Sequence, residues 1–172
     1  MPAAQEQLDA VLIAFVLLVA FIDWRTHRIP NLLCAIAAVF GLTLQITFHA
    51  EVGLLSALGG AAVGFAMFLP FYVLRAFGAG DVKAMATVGI FLGMQATVLA
   101  VGSTLIAGAL LGALVLCLRP AHMSATFHRL VGMLVSPVVT VRNTRSRPHS
   151  SLRFPYGVAI ACGTAVALIV FH

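Results

Sequence analysis

Two carboxylates stand where an apolar chain has no structural need of charge. Asp81 lies in Gly78-Ala79-Gly80-Asp81-Val82-Lys83, between one apolar stretch that has just ended and another about to begin, and Asp23 closes the first apolar stretch in Phe21-Ile22-Asp23-Trp24-Arg25. An ionisable group at the edge of hydrocarbon is costly to keep, so in this setting it marks a function and calls for a partner. If folding brings the two together, they cannot both ionise cheaply. They share a proton, leaving one carboxylate as base and the other as acid. That arrangement activates water against a peptide bond: the ionised member takes a proton from water, the protonated one polarises the scissile carbonyl, and no covalent intermediate forms. Glycines beside Asp81 would let a substrate backbone come close.

Other hydrolytic chemistries find no matching residues. His49-Ala50-Glu51 has the wrong order and spacing for a zinc-binding His-Glu-x-x-His helix. Ser103 follows Gly102, but Leu105 occupies the place of the second glycine of a nucleophile elbow. Cys34, Cys117 and Cys162 fall singly in or beside apolar stretches, without the spacing of a zinc site or a disulfide framework. No metal and no cofactor is expected, and His122 and His128 are not taken as ligands.

The elements that must position the aspartates follow from composition. With 62% hydrophobic and 9% charged residues and a mean hydropathy of +1.09, the chain is far from the quarter-charged make-up of soluble domains. It reads as an all-α polytopic membrane bundle. Spans of about twenty residues allow about six helices in 172 residues and no separate soluble domain, so 1–172 is expected to form a single transmembrane unit. The apolar runs are 8–22, 32–48, 54–74, 84–94, 97–118 and 154–171. The first is short, so Asp23 continues its helix into the interface, and without a basic n-region or cleavage site this helix is expected to be retained. The fourth is too short to cross alone, so its helix is expected to start at about Asp81. Pro30 suits the first turn of the second helix. The small-residue pairs Gly60 and Gly64, Gly89 and Gly93, and Gly108 and Gly112 suit close helix packing in lipid, while Thr43, Gln45, Ser56, Thr87, Ser103, Thr104 and Thr164 read as interhelical hydrogen-bonding groups.

With six spans, all ten Lys and Arg residues fall on one side, together with Asp23 and Asp81 and no other acid. By the positive-inside rule that side is the cytoplasm and both termini are periplasmic. The net charge of +5 and the basic loop 119–153 fit topology and anionic lipid headgroups. No aromatic platform accompanies the arginines, so no nucleic acid is expected. Within the loop, 130–141 is apolar and broken by Ser136-Pro137, and lies on the membrane surface or in a plain loop.

Asp23-Trp24-Arg25-Thr26-His27-Arg28-Ile29-Pro30-Asn31 and Gly78-Ala79-Gly80-Asp81-Val82-Lys83 resemble the two aspartate motifs of the type IV prepilin peptidases. Pro155-Tyr156-Gly157-Val158-Ala159-Ile160 resembles their later Pro-Tyr-Gly element. The resemblance implies a membrane aspartic endopeptidase of the bacterial inner membrane, cutting the basic leader from prepilin-like proteins at the cytoplasmic face. Asp23 and Asp81 match its catalytic pair; Pro30, Asn31, Gly78, Gly80, Lys83, Pro155, Tyr156 and Gly157 match its motif positions. The chain starts directly with its first span and lacks the paired cysteines of the longer, N-methylating members. It therefore resembles the short, peptidase-only branch serving Flp or tight-adherence pili. The expected partners are a prepilin, whose apolar helix docks between spans, and membrane lipids; Lys83 is expected to act as an anchor or else as a modulator of the aspartates. The competing readings are a proton-coupled transporter, a silent assembly subunit of a pilus or secretion system, and aspartates that merely cap helices or pair with Arg25 or Arg75.

Overall fold

The computed structural model describes residues 2–74, 76–118 and 156–171, and every regular element among them is a helix. These are α1 (Pro2–Thr26), α2 (Asn31–Val73), α3 (Ala79–Leu118) and α4 (Tyr156–Phe171). Among the described residues, four stretches are long and apolar enough to cross a membrane: Gln5–Thr26, Asn31–Phe48, Gly53–Val73 and Ala79–Leu114. Tyr156–Phe171 is a shorter apolar helix. Large apolar side chains such as Leu17, Phe21, Leu32, Leu55, Ile106 and Ile169 remain exposed on the bundle's outside. In water they would be a liability; around a membrane bundle they meet lipid. Backbone polar groups, which lipid cannot satisfy, are paired inside the helices. The expected α-helical membrane bundle is what forms.

Two of the helices are folded back on themselves. In α2, Cys34 O accepts a hydrogen bond from Thr87, while a Cβ on Gly64 would lie 2.6 Å from the carbonyl oxygen of Met85. A straight helix would hold Cys34 and Gly64 about 45 Å apart at 1.5 Å per residue, yet they meet residues less than one turn apart on α3. The chain therefore reverses between them. The link expected at 49–53 is nevertheless assigned helical, so the reversal takes place within that assignment.

In α3 the break is at Gly93, with φ 74° and ψ 179°. That conformation is open essentially to glycine alone. It separates an arm 79–92 from an arm 94–118, and the next arm starts with no loop. A helix that ends in the membrane strands its last carbonyls, since the donors of the following turn are displaced. Gln45, buried on the first arm of α2, donates from Nε2 to the carbonyls of Ile90 and Phe91, both at 3.2 Å. Gly93 was expected as half of a packing pair; it is the hinge.

The remaining contacts set the order of crossings. Ser103 donates to Gly163 O at 3.0 Å, and Gly108 faces the ring of Tyr156, so the second arm of α3 runs antiparallel to α4. Asp23 meets Gly157, so α1 is antiparallel to α4 as well. Asn31 meets Lys83, and Phe71 meets Phe77. One end of the bundle thus gathers Asp23, Asn31, Phe71, Asp81, Gly108 and Tyr156. At the other, Gln5, Asp9, Ser56, Phe91 to Ala96 and Phe171 line a cavity of about 330 Å³. The six legs formed by the described residues alternate between these two ends, as the sequence requires.

Close packing is concentrated between α2 and α3. Cβ atoms added at Gly60 or Gly89 would run into each other's backbone carbonyls, and one at Gly64 into Met85. The pair Gly108 and Gly112 is different: Gly108 abuts Tyr156, but Gly112 has nothing within 4 Å. Among the polar residues, Gln45 bridges helices, and the hydroxyls of Thr87 and Ser103 lie within hydrogen-bond distance of Cys34 O and Gly163 O across the interface, although their shorter bonds are to Lys83 O and Leu99 O on their own helix. Thr43 and Thr164 instead bond the carbonyls of Val39 and Ile160 on their own helices. A hydroxyl four residues after a free lone pair satisfies itself locally, which is the cheaper solution in lipid.

Candidate active site

Asp81 sits in the first turn of α3. Its Oδ2 accepts the N–H of Gly78 at 2.8 Å, while its own N–H donates to Gly78 O at 3.2 Å. This is the carboxylate half of a capping box, the acid at the third helical position reaching back to the N–H of the residue before the helix, while Gly78, which has no side chain, accepts through its carbonyl. Asp81 therefore does cap its helix, and the cap fixes the carboxylate. It is 9% exposed.

The loop before it is pinned from the other side. Ala76 and Phe77 both donate to Phe71 O, at 2.8 and 3.3 Å, and the Phe77 ring lies 5.0 Å from that of Phe68 and 5.1 Å from that of Phe71. Phe77 also meets Tyr156 edge-on, with centroids 4.3 Å apart. Sequence reasoning passed over Phe77. Its signal was a large aromatic in a link otherwise made of small and polar residues, immediately before Gly78.

Asp23 lies three residues before the end of α1 and is 5% exposed. Its Oδ2 accepts the N–H of Gly157, in the first turn of α4, at 2.7 Å. A helix start leaves such donors without intrahelical partners, so Asp23 caps a helix 134 residues away in sequence as Asp81 caps its own. Gly157 has no room for a side chain. A Cβ there would stand 2.8 Å from Asp23 Cβ and 3.1 Å from Val19 O.

The two carboxylates share the same end of the bundle, and the segments that hold them meet there: Phe77, next to Gly78, packs on Tyr156, next to Gly157. Each has one oxygen held by an amide of a helix start, and among the described residues neither Oδ1 has a hydrogen-bond partner. Arg25 is turned away, its guanidinium 5.4 Å from the centre of the Phe21 ring, so it does not neutralise Asp23. Arg75 lies outside the described residues.

The other motif residues frame the pair. His27 ends α1 with φ 51°, a left-handed turn that His tolerates better than most residues, and Thr26 Oγ1 bonds Ile22 O and Arg28 O across it. Ile29 follows and presses on Gly80, where a Cβ would be 3.0 Å from Ile29 Cβ. The bare Cα of Gly80 is thus turned to the chain's own link. Pro30 is extended, at φ −65° and ψ 127°, as N-cap of α2, one place earlier than expected; Asn31 is the first helical residue. Asn31 Oδ1 accepts from Lys83 Nζ at 3.0 Å, tying the starts of α2 and α3 together on an exposed side. Tyr156 and Gly157 reach the site, and Pro155 lies outside the described residues, as does the basic loop 119–153. The three described cations of the aspartate motifs, Arg25, Arg28 and Lys83, all stand at this end of the bundle.

Two carboxylates, each with one oxygen fixed and the other without a partner among the described residues, can pass a proton between a water molecule and a leaving group. A family model described as the type IV leader peptidase family matches residues 10–117, which takes in both aspartates and ends before α4. No curated protein and no solved structure matches the chain.

Proposed function

Because the chain belongs to the type IV leader peptidase family, and is therefore a peptidase of the membrane, we propose that Asp23 and Asp81 are its catalytic pair. Their substrate is a prepilin-like protein of the Flp type, whose basic leader is removed at the cytoplasmic face of the inner membrane without N-methylation of the new terminus. The observation that carries this reading is the convergence of two helix starts on two carboxylates at one end of the bundle. That end also holds Arg25, Arg28 and Lys83, which supports a cytoplasmic placement by the positive-inside rule.

In this mechanism the ionised carboxylate draws a proton from a water molecule through its Oδ1 as the water oxygen bonds to the scissile carbonyl carbon. The protonated carboxylate then gives its proton to the departing amine nitrogen as the C–N bond breaks. The amides of Gly78 and Gly157 hold the two groups at fixed positions throughout. A proton-relay role would place its carboxylate deep among the spans, whereas both aspartates lie at the end of the bundle.

The test is co-expression with an Flp-type prepilin in a host lacking other prepilin peptidases, with the product's mass as readout. Loss of the leader mass is expected, with no added methyl. A methylated product would refute the peptidase-only part, and an intact prepilin in the presence of inserted enzyme would refute the substrate assignment. Within the same assay, Gly157→Ala is expected to lower kcat by about 10²-fold, since a misplacement of about 1 Å has that effect. Its methyl must push α4 off α1 and stretch the Asp23 hydrogen bond; an unchanged kcat would show that this bond does not set the position of the carboxylate.

A further inference from the structure

Tyr156 is the first residue of α4, between the segment that holds Asp81 and the residue that holds Asp23. Its ring is fixed on two sides: Phe77 meets it edge-on at 4.3 Å, and the bare Cα of Gly108 backs it, where a Cβ would come within 2.8 Å of Cε1. Phe77 immediately precedes Gly78, whose N–H holds Asp81, and Gly157, the next residue after Tyr156, holds Asp23. The side chain is only part-buried, and among the described residues its hydroxyl makes no hydrogen bond. A phenol carries one donor and normally finds a partner for it when sheltered. Here a rigidly packed ring carries that donor at the junction of the two segments whose amides, those of Gly78 and Gly157, hold the carboxylates.

We propose that Tyr156 is a third catalytic residue, whose hydroxyl donates a hydrogen bond to the oxygen of the scissile carbonyl. This rests on the peptidase reading above. As water oxygen bonds to the carbonyl carbon, the C=O π pair moves onto the oxygen, and the Tyr156 O–H stabilises the charge that develops there. Tyr156 keeps its proton. The proton from water goes to the ionised aspartate, the proton for the leaving amine comes from the other, and the oxygen's pair returns as the C–N bond breaks. The division of labour frees the protonated aspartate to act on the leaving nitrogen. A donor aimed at developing charge is among the larger contributions an enzyme can make.

Tyr156→Phe removes the hydroxyl and keeps the ring contacts with Phe77 and Gly108. With the full-length enzyme and an Flp-type prepilin, kcat is expected to fall about 10²- to 10³-fold, the usual effect of deleting one such donor, with KM and the thermal midpoint in detergent unchanged. Wild-type kcat in Tyr156→Phe overturns the inference and leaves the peptidase reading standing. So does a loss confined to KM, or a shifted pH profile with a normal plateau, which would assign the hydroxyl to Asp81. Failure of the wild type to cleave overturns both. As a second route that keeps the hydroxyl, 3-fluorotyrosine can be incorporated in a Tyr72→Phe background, where Tyr156 is the remaining one of the chain's two tyrosines. A changed plateau kcat is expected, and an unchanged one counts against the donor.

Discussion

Asp23→Asn and Asp81→Asn are each expected to stop leader removal while leaving the protein folded and inserted. Asparagine keeps the size of the side chain and an oxygen that can accept the N–H of Gly157 or Gly78, so both helix caps survive. What is lost is proton transfer, worth about 10²- to 10⁴-fold for one positioned group, and either loss takes cleavage below detection in cells. Stability should not fall, because an amide is less costly to shelter than a carboxylate. The double variant should be no worse than either single one, since the two groups act as a unit. Product mass measures cleavage, and the thermal midpoint in detergent measures folding. Activity surviving in either single variant would end the aspartic mechanism.

The second large effect is expected at Gly89, about two turns along α3 from Asp81. Gly89→Ala places a methyl against the carbonyl of Gly60, and Gly60→Ala does the reverse. Backbone on both sides cannot step aside as a flexible side chain would. Overpacking of this kind costs about 1–3 kcal/mol and more where relief requires backbone movement, out of about 5–15 kcal/mol holding a domain together. Both variants should lose thermal stability, and cleavage with it, because the arm that moves carries Asp81. Gly112→Ala is the control: with nothing within 4 Å it should be neutral or gain up to about 1 kcal/mol from helix propensity. Equal midpoints for Gly89→Ala and Gly112→Ala would refute the close approach of α2 and α3.

What the sequence alone determined is whatever depends on composition and local order. The lack of charge dictates membrane helices, the run lengths dictate about six crossings, and alternation of crossings puts Asp23, Asp81 and the described cations at one end. The helix start near Asp81 was legible too, because an apolar run of 84–94 is too short for the membrane and has to be extended. These conclusions need no knowledge of which helix touches which.

Partnership was left to the tertiary structure. Gly89 and Gly93 share one spacing with Gly108 and Gly112, yet one is a backbone contact, one a hinge, one a seat for Tyr156 and one open. A glycine's role lies in what faces its missing side chain, and that belongs to another helix. For the same reason Thr87, which like Thr43 bonds its own helix, also faces a carbonyl of another helix, and Gln45 proves to be the donor for carbonyls freed by a break 48 residues later. The site divides along the same line. Its two carboxylates could be named from their position at the edge of hydrocarbon, but Gly157 as the holder of Asp23, Phe77 as the anchor of the Asp81 loop and Tyr156 between them exist only once α1, α3 and α4 have packed. A hydrogen bond across 134 residues leaves no local trace in either segment that makes it.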